Sequence, residues 1–432
     1  MPACHGPSAL PALSFPAVVR ALGAAAVFLC LMPGAARCAG TLPFTTAVAR
    51  AWAIDPVRDE LITNRHMAGE RADAAKSWFA GGPTLNGTYL DDHFIGSKQG
   101  YTTYQGSVSV PLWLPGQATA TEKVAEAEEA AAETRLRVEH MAVAVRVLDA
   151  TGAILIARRN LEIASSTASD LQRLEDLTRQ GVQSGELPSS DLQAAVSEHA
   201  RAQSAVGEAR EKIITTEEAL RQLTGSDLVP DILSWDEAAG AVALRRLPEA
   251  IARRDPRVRN ARQNVLTARE GMKLARRSYM PNPEVGIDVL RQAQWESPMD
   301  TQVGAHFSVA LPSDVRNAPI MTAAANRLAL AGREEIQTQR NVRNEVAQVR
   351  ARVDAARITL ENARSSERAL SERAGITEKA WRLSEMPLIE ALRARQAAWE
   401  GARALNEAEV SWHAALIRLI IASGDLPGVG FL

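Results

Sequence analysis

Cysteine is almost missing from this chain. The three that occur, Cys4, Cys30 and Cys38, lie in or beside an apolar leader, so the remainder offers no disulfide framework and no cysteine nucleophile. Aromatic residues make up 4% of the sequence, too few for a thick globular core, while Ala, Glu, Arg and Leu are abundant, the bias of long helices. Excess charge of one sign is lacking as well: 49 Lys+Arg stand against 51 Asp+Glu, and a net charge of -2 gives no broad basic face for nucleic acid. Beyond the leader, no segment reads as apolar enough for long enough to cross a membrane as a helix. The seven histidines are scattered without metal-binding spacing, and GxSxG, P-loop and GxGxxG units are missing. No enzymatic activity, catalytic residue, metal site or cofactor is therefore expected.

What is present is a duplication. Asp55-Pro56 recurs as Asp255-Pro256, Lys76-Ser77-Trp78 as Arg277-Ser278-Tyr279, and Gly185-Glu186-Leu187-Pro188 as Ser384-Glu385-Met386-Pro387, at a shift of about 200 residues. Such a shift is too long for a solenoid repeat and implies two structural halves. The expected organisation is a secretory signal over residues 1–39, a first repeat over 40–230, a second over 231–427 and a tail over 428–432.

The leader has the three parts of an export signal: Arg20, the apolar run Ala21 to Met32, and the small residues Gly34-Ala35-Ala36 and Cys38-Ala39-Gly40. A retained anchor helix is the other reading. Arg37 before Cys38 argues against lipid attachment there.

If the chain spans a membrane it must do so as strands of about ten residues, apolar on one face and polar or small on the other. Four candidates fit. Thr84 to Leu90 alternates loosely; in Ser107 to Val110, Val108 and Val110 share a face. Val285, Ile287 and Val289 share a face from Glu284 onward, as do Val303, Ala305, Phe307, Val309 and Leu311 in the fourth. Polar loops Asp91 to Gly100 and Arg291 to Asp300 separate each pair. Tyr89, Phe94, Tyr101, Tyr104, Trp113 and Trp295 gather at strand ends, as in the aromatic girdles of membrane barrels. Four strands cannot close a membrane barrel alone, so copies would have to share one. Two ordinary hairpins packed on helices are the plain alternative.

The helical segments are long. Gln117 to Arg179 contains no proline and only Gly152 as glycine, room for a helix of about 90 Å. Ile320 to Leu383 repeats it, and each long segment returns, through Ser189 to Leu223 and Leu388 to Ile421. The apolar seam is narrow and small: Val124, Ala127, Ala131, Leu136, Val138, Val143 and Val147, then Val342, Val346, Val349 and Val353. Small seam residues allow close helix packing.

Taken together, these features resemble the TolC-like outer-membrane efflux family, over about Leu42 to Pro427. The sharpest pieces are Ala275 to Val285 and the turns Gln180 to Asp191 and Trp381 to Glu390. The helix starts at Asp55-Pro56 and Asp255-Pro256 look most like the branch serving cobalt, zinc, cadmium or copper efflux. The resemblance implies a mainly α fold with a membrane β-barrel: long antiparallel helical hairpins and four strands per protomer, assembled as a trimer with a twelve-stranded barrel above an α-helical periplasmic tunnel. It implies a passive duct in the outer membrane, docked to a periplasmic adaptor (membrane fusion) protein and an inner-membrane pump of the resistance-nodulation-division type.

On that resemblance the lipid-facing strand residues are Val108, Val110, Val285, Ile287, Val289, Val303, Phe307 and Val309. Asp191, Glu390 and Arg393 fall at the periplasmic tip constriction, Arg393 standing where some relatives carry a second carboxylate and Met386 where some carry a basic residue. The adaptor would contact Gly185, Glu186, Leu187 and Pro188 in one turn, and Leu383, Ser384, Glu385, Met386 and Pro387 in the other. The plain reading of Asp191 and Glu390 is helix-start chemistry, since first-turn carboxylates meet the helix dipole favourably. His199 and His413, at roughly equivalent places on the return segments, would meet metal cargo or sit in a surface or seam. A soluble periplasmic coiled-coil adaptor or scaffold is the rival class.

Overall fold

The computed structural model describes residues 42–93, 95–96, 98–235, 242–293 and 297–424. The leader with its cysteines, Phe94, Trp295 and the tail lie outside these residues.

Two short helices, α1 (Phe44–Ile54) and α2 (Pro56–Ala74), lead into strands β2 (Thr84–Asp91) and β3 (Thr102–Pro111), preceded by the two-residue β1 (Leu42–Pro43). Then come α3 (Gln117–Gln183) and α4 (Ser189–Thr224), and the two-residue β4 (Pro230–Asp231), which pairs with β1 in parallel. The order then recurs: α5 (Pro248–Arg254), α6 (Pro256–Arg277), β5 (Glu284–Ala293), β6 (Asp300–Ser308), α7 (Asp314–Arg382) and α8 (Leu388–Ser423). Asp55 and Asp255 each end one helix and cap the next, accepting from Val57 N and Arg257 N at 2.8 Å, with Pro56 and Pro256 set at the first helical position.

At 67 and 69 residues, α3 and α7 are each roughly 100 Å long. Helix α7 starts at Asp314, earlier than the Ile320 read from sequence, because Pro319 is held inside it. The missing Pro319 N–H deprives only the Val315 carbonyl, and Val315 is exposed, so water can replace the bond. Contrary to the expectation that no segment beyond the leader is apolar enough, part of α3 is apolar and long enough to cross a membrane by composition alone. The reason is burial: Val143, Ala144, Val147 and Leu148 of α3 lie in the main core with Phe44, Val48, Ile232, Val353, Leu416, Ile417 and Ile420, and Ile154 is buried as well.

Both hairpins pack along their length, α3 on α4 and α7 on α8, while α3 also holds α2, α6 and α8. In the seam, Leu136, Val143, Val147 and all four α7 valines are buried; Val124, Ala127, Ala131 and Val138 are half-buried. At Ala127 and Ala131 the small side chains let α6 approach closely: Thr267 Oγ1 donates to the Ala127 carbonyl at 3.0 Å, and Asn260 Nδ2 to the Ala131 carbonyl at 3.1 Å.

Strands β2-β3-β5-β6 form one antiparallel sheet in that order. The strands differ from their sequence bounds. β3 begins at Thr102, which shifts the first loop by one residue, β5 runs to Ala293, which shortens the second, and β6 stops at Ser308. Val309 and Leu311 therefore lie beyond the sheet, in the link to α7, where Pro312 has no N–H to extend a ladder.

Candidate functional site: a two-faced sheet and the hairpin turns

The register separates the residues of the sheet into two chemistries. On one face lie, row by row, Val110, Val285 and Phe307; Leu85, Val108, Ile287 and Ala305; then Gly87, Gly106, Val289 and Val303. The large side chains of these rows are exposed apart from the half-buried Val110. The opposite face carries Thr84, Ser109, Gly286 and His306; Asn86, Ser107, Asp288 and Gly304; then Thr88, Gln105, Leu290 and Gln302. Ser109 Oγ lies 2.6 Å from Thr84 Oγ1 and donates to Glu284 at 3.2 Å, and His306 Nδ1 lies 2.8 Å from Asp288. Gly286 provides the space for that imidazole. Tyr89 and Tyr104 stack at 5.0 Å at the loop end of the apolar face. A sheet wet on one face and apolar on an exposed other face has the chemistry of a barrel wall between lipid and water.

Where sheet meets helices, a hydrogen-bonded node fastens the strand entries, and sequence reading missed it. Gln117 is buried; its Nε2 donates to Ser278 Oγ at 3.3 Å, and its Oε1 accepts from Leu114 N and Asn282 Nδ2 at 3.0 Å. Asn282 Nδ2 also reaches the Leu112 carbonyl at 2.9 Å, and Leu112 N donates to the Pro283 carbonyl at 2.7 Å. Trp113 Nε1 donates to the Ser77 carbonyl at 2.8 Å. The available signal was Asn282 between Pro281 and Pro283, a polar residue at a strand entry with its neighbours' φ fixed.

The two hairpin turns are the same device. Gly185 (φ 82°) and Ser384 (φ 60°) both adopt the left-handed conformation. In each, paired bonds close a Schellman motif: Glu186 N to the Gly181 carbonyl and Gly185 N to Val182, matched by Glu385 N to Ala380 and Ser384 N to Trp381. Gly185, Glu186, Pro188, Leu383, Ser384, Glu385 and Pro387 are exposed, while Leu187 and Met386 are half-buried. Leu187 leans on a tip cluster containing Leu171, Ala195, Trp381, Leu388 and Leu392.

Asp191 and Glu390 are each the third residue of a return helix, behind Pro188 and Pro387 as N-caps, which suits the helix dipole. Arg393 Nη1 lies 2.8 Å from Glu390, so this carboxylate carries its own counter-ion within the protomer. Farther from the turns, Arg395 of α8 bridges Glu378 of α7 at 2.9 Å and Asp170 of α3 at 3.6 Å, tying one hairpin to the other; Arg382 adds a second pair to Glu378 at 2.6 Å.

The histidines are not equivalent, contrary to the sequence reading. His199 lies near the start of α4, with Nδ1 2.7 Å from Glu175 Oε2 in an inter-helix seam that Arg179 also joins. His413 lies in the second half of α8, half-buried and electrostatically coupled to Asp231. The two sit at different levels because His199 is the eleventh residue of α4 and His413 the twenty-sixth of α8, about four turns farther along. Among the described residues, three possible metal-ligating groups converge at Asp91, Asp92 and His93. Those carboxylates already hold the loop, Asp91 accepting from His93 N at 2.9 Å and Asp92 from Gln99 N at 2.7 Å and Tyr101 N at 3.0 Å.

Residues 68–226 match the outer membrane efflux protein family. Solved structures share the fold. The CmeC outer membrane channel of Campylobacter jejuni matches with 15% identity and a TM-score of 0.72, over 88% of this chain and 85% of that one. CusC, described in terms of folding and transmembrane channel formation, matches with 14% identity and a TM-score of 0.73, over 89% and 92%. The outer membrane protein VceC of Vibrio cholerae matches with 15% identity and a TM-score of 0.68, over 88% and 96%. No curated protein sequence matches this chain.

Proposed function

We propose that the chain is the outer-membrane channel component of a tripartite efflux system, a passive duct from periplasm to exterior for heavy-metal cations. The observation that carries the duct reading is the two-faced sheet, open at both edge strands and mounted on hairpins of roughly 100 Å. Its outer strands β2 and β6 run in opposite directions, so β6 of one copy can pair antiparallel with β2 of the next. Three copies then make a closed barrel of twelve strands, which removes both open edges.

The helices favour the same assembly. α2 and α4 pack mainly on α3, and α7 on α6 and α8, which leaves them at the two sides of the protomer. Helix α7 carries four more basic than acidic residues, whereas α2 and α4 carry one and two more acidic than basic. Opposite signs on opposite sides suit head-to-tail closure of identical copies.

The exposed turns at Gly185 and Ser384 are the surfaces for a periplasmic adaptor, and the pump beyond it supplies the energy. At the tip, Asp191 and the Glu390–Arg393 pair would be repeated threefold, a ring of mixed rather than purely acidic charge. A soluble coiled-coil adaptor would have no use for an exposed apolar sheet face. The test is a deletion strain challenged with cobalt, zinc, cadmium and copper salts and with organic toxicants. Metal-selective sensitivity, restored by the gene, supports the reading; unchanged tolerance to every metal contradicts the cargo assignment.

A further inference from the structure

The apolar face of the sheet does not stop at the sheet. Below Phe307 it continues through Leu311 and Val315, which are 81% and 88% exposed. At the sheet–helix junction of the first half, where Trp113 holds the Ser77 carbonyl, Trp78 is 91% exposed and Phe79 partly so; in the second half Tyr279 is partly exposed. The other tryptophans among the described residues, Trp52, Trp113, Trp235, Trp381, Trp399 and Trp412, are all buried or half-buried, so an indole left bare on a rigid support calls for a partner. The support is rigid, because Ser77 is held by Trp113 and Tyr279 by Asn317 through their carbonyls.

Immediately past this aromatic level three exposed cationic side chains outnumber one exposed acid, Asp314. Arg276 and Arg277 form the last turn of α6, and Arg316 lies in the first turn of α7; all three are exposed. Arg316 Nη1 donates to the Ser278 carbonyl at 3.4 Å, which fixes it beside Tyr279. Lys76 is nearby in sequence but paired with Asp73 at 2.9 Å, so it contributes little.

Apolar, then aromatic, then cationic is the layering of half a bilayer: hydrocarbon, interface, phosphate. Strands of ten residues tilted by about 40° span roughly 25 Å, which puts the junction at headgroup depth on the helix side. We infer that the sheet–helix junction is a collar that binds the phosphate headgroups of anionic phospholipid, with Trp78 and Tyr279 at the acyl boundary and Arg276, Arg277 and Arg316 on the phosphates. The inference rests on the channel reading and goes beyond it by naming a lipid class and the residues that hold it.

The experiment uses the whole protein reconstituted in nanodiscs of phosphatidylcholine with graded phosphatidylglycerol, and counts lipids retained on the released particle by native mass spectrometry. Retention of phosphatidylglycerol over phosphatidylcholine is expected, and the triple substitution Arg276→Gln, Arg277→Gln, Arg316→Gln should lower that preference by about tenfold or more. The corresponding triple Lys variant should keep it, which guards against a merely misfolded Gln variant. Equal retention of both lipids by the unsubstituted protein, or a Gln variant with undiminished preference, overturns the collar. A particle that needs no detergent or lipid would instead overturn the channel reading.

Discussion

Gly286 is where the sheet register can be broken most cleanly. A methyl group added there would sit 2.5 Å from the Val108 carbonyl oxygen of the neighbouring strand and against the His306 imidazole. The imidazole can swing aside, giving up its 2.8 Å pair with Asp288, a half-exposed pair worth at most about 1 kcal/mol. The carbonyl cannot, because it belongs to the β3–β5 ladder, where Val108 faces Ile287 and Ser109 faces Gly286. Relief requires β3 and β5 to part locally, and overpacking of this kind costs about 1–3 kcal/mol. Gly87, Gly106 and Gly304 provide controls in the same sheet, since an added Cβ there meets nothing within 4 Å. Gly286→Ala should lower the urea midpoint of the lipid-reconstituted protein, while the three control Ala variants stay within about 0.5 kcal/mol. A Gly286→Ala protein as stable as the controls would refute the register, and with it the division into lipid and water faces.

Other expectations follow from the turns and helices. Ser384→Gly should raise stability by about 0.5–1 kcal/mol and Gly185→Ala should lower it by about 1, because a side chain at positive φ is strained; chemical denaturation of the two variants checks this. Arg393→Ala frees the Glu390 carboxylate and should increase cation over anion selectivity in planar bilayers, a change absent in Arg393→Lys. His140 is stacked on Trp52 at 4.8 Å, and burial pushes its pKa below the ordinary value. The unfolded chain therefore takes up the proton first, so stability is retained above about pH 6.5 and falls as pH drops toward the folded pKa. His140→Phe should flatten that decline in thermal melts; an unchanged slope would contradict it.

Much of the architecture could be read from periodicity and from the duplication. Alternation in β5 and β6 marked the apolar face, and the lack of proline from 117 to 179 marked α3, because both signals are local. What escaped depends on pairing across the chain. The Gln117–Asn282 node, the Arg395 bridge and the His306–Asp288 pair each join residues far apart or on different strands, and no single segment carries their signature. Pro319 misled the start of α7, since a proline near a helix end costs less than one in the interior. The unequal levels of His199 and His413 were legible and overlooked, since they stand 214 residues apart against 199 between the helix starts Ser189 and Leu388.

The central claim is that copies of this chain close their open strand edges on one another in a membrane. With no cysteine after residue 38, paired cysteines introduced on β2 and β6 report on that contact alone. Scanning pairs along the two strands in the outer-membrane fraction, the account predicts register-dependent disulfides that trap dimers and trimers, and a trimer mass for the detergent-extracted particle. A monomer released without detergent, with no pair forming a disulfide at any register, would contradict it.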